Sequence, residues 1–137
     1  METGLGLVLT LAVDDLVKTA HFYREILGLK LHRIEPGRGF PALLLLRRGD
    51  AAILFRGTEH LEASHPALFE HIERHPRGVG VTIDLEVPDL ERVVRAIDRH
   101  GLHLLYELDD QEHGRREIWL HDPDGYLLVL GSSKEKD

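Results

Sequence analysis

Apolar and polar positions along this chain alternate with two rhythms, one of period two and one of period near 3.6, and their order predicts most of the fold. Leu5 to Val13 is apolar apart from Thr10 and reads as a first strand. Asp14-Asp15 then supplies a carboxylate able to cap a helix, and Leu16, Ala20, Tyr23 and Leu27 recur on one helical face that ends at Gly28. Leu29 to Glu35 reads as a strand, Pro36-Gly37-Arg38-Gly39 as a turn and Phe40 to Arg47 as a second strand; Arg48-Gly49-Asp50 turns the chain into Ala51–Arg56. A connecting helix is expected over 62–76, with Ser64 as a cap and Pro66 in its first turn, where the missing N–H costs nothing.

The same rhythm then repeats. Val81 to Val87 alternates strictly, Asp89 caps a helix with Leu90, Val93, Val94 and Ile97 on one face, and Gly101 ends it. Leu102 to Leu108 reads as a strand and Asp109 to His113 as an exposed loop. Gly114 to Gly131 reads as a hairpin: Ile118 and Leu120 face one way, Glu117, Trp119 and His121 the other, and Asp122-Pro123-Asp124-Gly125 reverses the chain into Tyr126–Leu130. From Ser132 onward the chain reads as a charged, frayed tail.

Strand–helix–strand–strand–strand is thus written twice. Val13, Asp15-Leu16, Gly28-Leu29 and Leu31 have counterparts in Val87, Asp89-Leu90, Gly101-Leu102 and Leu104, at an offset of 74 residues that falls to 73 across the helix. A period that long means duplicated half-domains, not a solenoid. The expectation is one α+β domain over 1–137, with module 1 at 5–57 and module 2 at 79–131 joined by the connecting helix at 62–76.

Composition narrows the function classes. A chain of 137 residues with 42% hydrophobic and 30% charged content has the balance of an ordinary folded domain. With 24 acidic against 17 basic residues its formal charge is −7, which argues against nucleic acid as a partner. No run approaches the ~18 apolar residues of a membrane span, and no basic region precedes the first apolar run as in a signal peptide. The absence of cysteine excludes thiolate metal sites and fits a reducing, cytoplasmic setting.

Two such modules, with FYREILGLKL closing the first helix and DPDGYLLVL closing the second half, resemble the vicinal oxygen chelate superfamily, the group of glyoxalase I, the bleomycin resistance proteins and the extradiol dioxygenases. The resemblance implies two tandem βαβββ modules whose curved eight-stranded sheet surrounds a U-shaped cleft, usually in a homodimer. In its metal-using members the ligands are a His on the first strand of one or both modules and a Glu on the last. Carried over by distance from VDDL and DPDG, those positions here are Val8, Phe55, Thr82 and Val129, none of them a His or a carboxylate. Carbon linings offer a divalent ion no donors, and stripping its water would cost on the order of tens of kcal/mol. No metal and no other cofactor is therefore expected.

The cleft face expected from strand parity holds Thr10, Phe55, Thr82, Asp84, Glu86, Trp119 and Val129 as ligand-binding candidates. Trp119 suits stacking on a planar or cationic ligand, or plain packing; Asp84 and Glu86 suit neutralising a cation, or pairing with surface arginines. Glu117, His121 and Asp84 are the candidate proton-transfer groups. Two readings follow: a metal-free binding protein that holds a small cationic or aromatic molecule, as drug-sequestering resistance proteins do, or a metal-independent lyase- or isomerase-like enzyme.

Overall fold

The computed structural model describes residues 5–132, so the tail at 133–137 and residues 1–4 lie outside the described residues. Packing divides the chain into two units, one made of residues up to 20 with 30–75, the other of 21–29 with those from 76 onward. Hydrogen bonding sorts the eight strands into two mixed sheets of four with the same topology.

In the first unit β1 (Leu7–Val13) lies parallel to β4 (Ala51–Gly57), and β3 (Leu43–Arg48) and β2 (His32–Ile34) extend the sheet antiparallel, giving the order β1-β4-β3-β2. Leu11, Val13, Leu44, Leu46, Ile53 and Phe55 share one side of it and are buried. β2 is shorter than the run expected from Leu29 because the Leu29 N–H is still bonded to the Tyr23 carbonyl at the helix end, so pairing with β3 starts only at His32; beyond β2 the chain turns through three left-handed residues, Gly37, Arg38 and Gly39. Helix α1 (Leu16–His21) starts where Asp15 Oδ1 accepts the N–H groups of Val17 and Lys18 at 2.9 and 3.2 Å.

The connection differs from the helix expected over 62–76. Helix α2 runs Thr58–Ser64 directly after β4, because the buried Thr58 hydroxyl donates to Asp14 Oδ1 at 2.9 Å and fixes the chain as it leaves the sheet. Ser64 thus lies in a last turn and is no cap. Pro66 cannot continue that helix; it opens the one-turn α3 (Pro66–Phe69), and a 3₁₀ turn at Ile72–Arg74 follows.

The second unit begins with the widened, π-helical continuation of α1 at Phe22–Ile26, which ends on Gly28 at φ +75°. β5 (Thr82–Val87) buries Ile83, Leu85 and Val87 and exposes Thr82, Asp84 and Glu86. Helix α4 (Leu90–Arg99) is capped by Asp89, which accepts the Arg92 N–H at 3.1 Å. It closes with the Leu102 N–H on the Ile97 carbonyl and Gly101 left-handed. That closure occupies Leu102, so the strand expected from there begins later, as β6 (Tyr106–Asp110). Its turn is held by Asp110, whose carboxylate accepts from the His113 backbone and lies 2.7 Å from its ring Nδ1. β7 (Arg115–His121) and β8 (Leu127–Ser132) complete the order β5-β8-β7-β6, and β8 takes in Ser132 from the expected tail.

Candidate functional site

Register across the second sheet aligns chemistry into rows. One row reads Asp84, Val129, Trp119, Tyr106 across the four strands, and the next Glu86, Gly131, Glu117, Leu108. Thr82, Leu127 and His121 form a third row toward the turn. All face the side opposite the buried Ile83, Leu85, Ile118, Leu120, Leu128 and Leu130. Gly131 has no side chain, so an open recess of about 360 Å³ forms between Asp84, Glu86 and Glu117, with Val129 as its apolar floor.

Trp119 stands beside that recess. Its indole Nε1 donates to Glu117 Oε1 at 3.2 Å, and its ring meets Tyr106 edge-on, centroids 5.8 Å apart at 86°. The other Glu117 oxygen lies 3.3 Å from the Arg115 guanidinium. Both carboxylate oxygens are therefore engaged, which suits a fixed negative charge better than a base that must accept a proton. His121 shares the face but lies at the turn end, exposed, and no described carboxylate orients its ring. The structure thus brings Asp84, Glu86, Glu117, Trp119 and Val129 together and leaves Thr82 and His121 one row away.

The first sheet corrects one residue. Val8 and Thr10 pair with Ala52 and Leu54 and share a side with Arg56, whereas Phe55 pairs with Leu11 and Leu44 on the opposite, buried side, fully covered. Phe55 is a core residue and cannot line the ligand face. The place that Val129 takes opposite Asp84 is taken by Leu54 opposite Thr10. Leu54 to Val129 is 75 residues, against 74 from Thr10 to Asp84, because the second hairpin carries one more residue in its turn. Arg48 pairs with Ala51 around Gly49-Asp50, but the Asp122 N–H reaches the Tyr126 carbonyl around Pro123-Asp124-Gly125.

With that correction the positions that the resemblance assigns to metal ligands are Val8 and Leu54 in the first unit and Thr82 and Val129 in the second. The first pair offers only carbon and the second one neutral hydroxyl, and neither is a donor set suited to zinc, iron or nickel. Among the described residues no three His, Asp or Glu side chains come close enough to share an ion.

The residue that the pattern of the sequence passed over is Asp122, one of three polar residues buried as a whole, backbone included, in the described part. Its Oδ1 accepts the backbone N–H groups of Asp124, Gly125 and Tyr126 at 2.9, 3.0 and 3.0 Å, and its Oδ2 accepts the buried Tyr23 hydroxyl at 2.7 Å. Burial pushes its carboxyl up from the ordinary value while those bonds pull it back; Tyr23 is raised by burial and then by the adjacent Asp122 charge. The turn is also tied by a buried Arg77–Asp124 ion pair at 3.7 Å and by Gly78, where a Cβ would stand 2.7 Å from the Tyr126 ring. An Asp at the first place of a Pro-containing turn is the signal for such an anchor; Tyr23 is hidden because it also fits the apolar helix face.

Comparison with known proteins agrees with this architecture. The family model described as Glyoxalase/Bleomycin resistance protein/Dioxygenase superfamily matches residues 6–130. A lactoylglutathione lyase of Neisseria meningitidis serogroup A is 29% identical over 130 residues, spanning 93% of this chain and 89% of its own. Among solved structures, a hypothetical protein of S. aureus superposes with a TM-score of 0.63 at 21% identity, covering 96% and 95% of the two chains. Fosfomycin resistance protein FosX of Mesorhizobium loti superposes at 0.57 with 14% identity, covering 98% and 95%. At those identities the structural likenesses carry the fold alone.

Proposed function

The chain belongs to the glyoxalase/bleomycin resistance protein/dioxygenase superfamily, and from that premise we propose that it is a metal-free binding member, which holds a small cationic or aromatic molecule on the exposed face of its second sheet without altering it. The observation that carries the reading is the alignment of Asp84, Glu86 and Glu117 around an open recess with Trp119 held beside it. Clustered carboxylates attract a cation, and an indole fixed by its own N–H offers its ring for stacking. Neither Val8 with Leu54 in the first unit nor Thr82 with Val129 in the second offers donors suited to a divalent ion, which supports the absence of a resident metal. Net charge supports a partner that is a small molecule and not nucleic acid. No helix among the described residues is long and apolar enough to cross a membrane, and the lack of cysteine supports a cytoplasmic location. Exposed Leu7 and Val8 on β1 support a homodimer.

Trp119 is the sole tryptophan, so its fluorescence reads the site directly. Benzyltrimethylammonium and a cationic glycopeptide are expected to quench it saturably, and Glu117→Gln with Asp84→Asn to weaken that binding at least about tenfold. A flat titration with every cationic aromatic tried counts against the reading. Native mass spectrometry with zinc, nickel and iron tests the metal-free part, where one tightly held ion per chain would overturn it. Sedimentation at micromolar concentration tests the dimer, which a monomer throughout refutes.

The relative named as a lactoylglutathione lyase favours a second reading, a metal-independent lyase- or isomerase-like enzyme using Asp84, Glu117 and His121 for proton transfer. It requires a turnover that survives EDTA and is lost in Glu117→Gln and His121→Ala. The engagement of both Glu117 oxygens makes it the weaker of the two.

A further inference from the structure

A second recess, of about 460 Å³, lies wholly within the first unit and has the opposite character. β4 supplies Arg56 and β1 supplies Thr10; the pairings Ala12–Arg56 and Thr10–Leu54 put both on one side of the sheet, as diagonal neighbours. α2 supplies His60 and Ser64, four residues apart and hence on one helical face, and His65 follows. The remaining wall is apolar: buried Leu61, exposed Leu68, and Phe69, whose ring lies 6.2 Å from that of His65.

Among the described residues no carboxylate lines this recess, although the chain carries seven more acids than bases. Of the acids on the flanking segments, Asp14 accepts the Thr58 hydroxyl, Glu62 accepts the His71 N–H at 2.9 Å, and Glu59 is exposed and does not line the recess. Arg56 is half-buried and makes no ion pair or side-chain hydrogen bond with any described residue. A guanidinium brings a planar fork of donors with no acceptor of its own, and at Arg56 that fork is uncommitted among the described residues and open to an incoming acceptor.

We propose that this recess binds a small organic oxyanion, a carboxylate or phosphate that carries an aliphatic or aryl group. Arg56 takes two oxygens through its fork, Thr10 and Ser64 donate hydroxyls from either side, and His60 closes the polar end. The organic part lies on Leu61, Leu68 and Phe69. This ligand class is opposite in charge to the one proposed for the second sheet, so the two sites are tested by different molecules.

The test is an NMR titration of the full chain with phenylacetate and phenyl phosphate, alongside inorganic phosphate, benzyl alcohol and benzylamine. Both aryl anions are expected to shift the Thr10 amide, the Arg56 Nε–H and the His60 ring saturably, and whichever binds more tightly identifies the oxyanion. Inorganic phosphate binds more weakly than phenyl phosphate, and the alcohol and the amine leave those signals unmoved. Arg56→Gln weakens binding at least about tenfold, Arg56→Lys less, and Ser64→Ala about threefold. His60→Gln, which leaves the β-sheet intact, gives an independent loss of about threefold should Arg56→Gln disturb the fold. Benzyl alcohol binding as tightly as phenylacetate, no saturable shift at the recess, or unchanged affinity in both Arg56→Gln and His60→Gln would overturn the proposal.

Discussion

The two sheets share one topology and carry opposite chemistry. Both place the first strand parallel to the last and run outward through two antiparallel neighbours. Both bury leucine, isoleucine and valine on one side, with Phe55 in the first at the place of Leu130 in the second. On the other side the first sheet presents Val8, Thr10, Leu54 and Arg56, and the second presents Thr82, Asp84, Val129 and Glu86 or Gly131. Topology rests on the buried half of each alternation together with the turns. The exposed half is left free by folding, so two copies of one scaffold can diverge toward an anion and a cation without repacking a core.

The placement of Phe55 and Leu54 on opposite sides is the most exposed part of this comparison, and it predicts the largest effect. Phe55→Ala is expected to cost about 4 kcal/mol in urea unfolding, since it empties a fully covered site. Leu54→Ala, from a half-buried position, costs about 1 to 2 kcal/mol. Equal losses, or a larger loss at Leu54, would reverse the register and with it the corrected metal position.

That register also shows where sequence reasoning stops. Alternation places Thr82, Asp84 and Glu86 on one side and Glu117, Trp119 and His121 on another strand's matching side, because period two is local and survives any error in turn length. Transfer between the halves is not local. The RGD and DPDG turns look interchangeable, yet one spans two residues and the other three, and a single extra residue moves every inference on β4 to the wrong side. The connecting helix failed for a different reason: its start depends on the Thr58–Asp14 bond between residues 44 apart, which no pattern in a window reveals. The π-helical continuation of α1 groups with the second unit, where Tyr23 bonds Asp122, 99 residues away.

The two hairpin turns sharpen the same contrast at intermediate size. Asp122→Ala removes the acceptor of four hydrogen bonds in a buried turn and is expected to cost about 2 to 3 kcal/mol, with Tyr23→Phe costing about 1. Asp50, at the corresponding turn of the first unit, is exposed, and no hydrogen bond to its carboxylate is found among the described residues, so Asp50→Ala stays within about 0.5 kcal/mol. Thermal and urea unfolding of the three variants give the measurement. A loss at Asp50 as large as that at Asp122 would mean that the turns are anchored alike.

The smallest effect tests whether the helices too can be made alike. Asp15 and Asp89 cap α1 and α4, and four residues on from each lie Thr19 and Val93, 0% and 1% exposed. Valine and threonine have nearly the same shape, but the Thr19 hydroxyl is buried with no hydrogen-bond partner among the described residues. A donor sealed from water without an acceptor costs free energy that a methyl group does not. Thr19→Val, which copies the second helix into the first, is therefore expected to raise stability by about 1 kcal/mol, read as a higher urea midpoint at unchanged slope. A loss of similar size would mean that the hydroxyl is bonded in solution and that the first helix needs a polar group where the second does not.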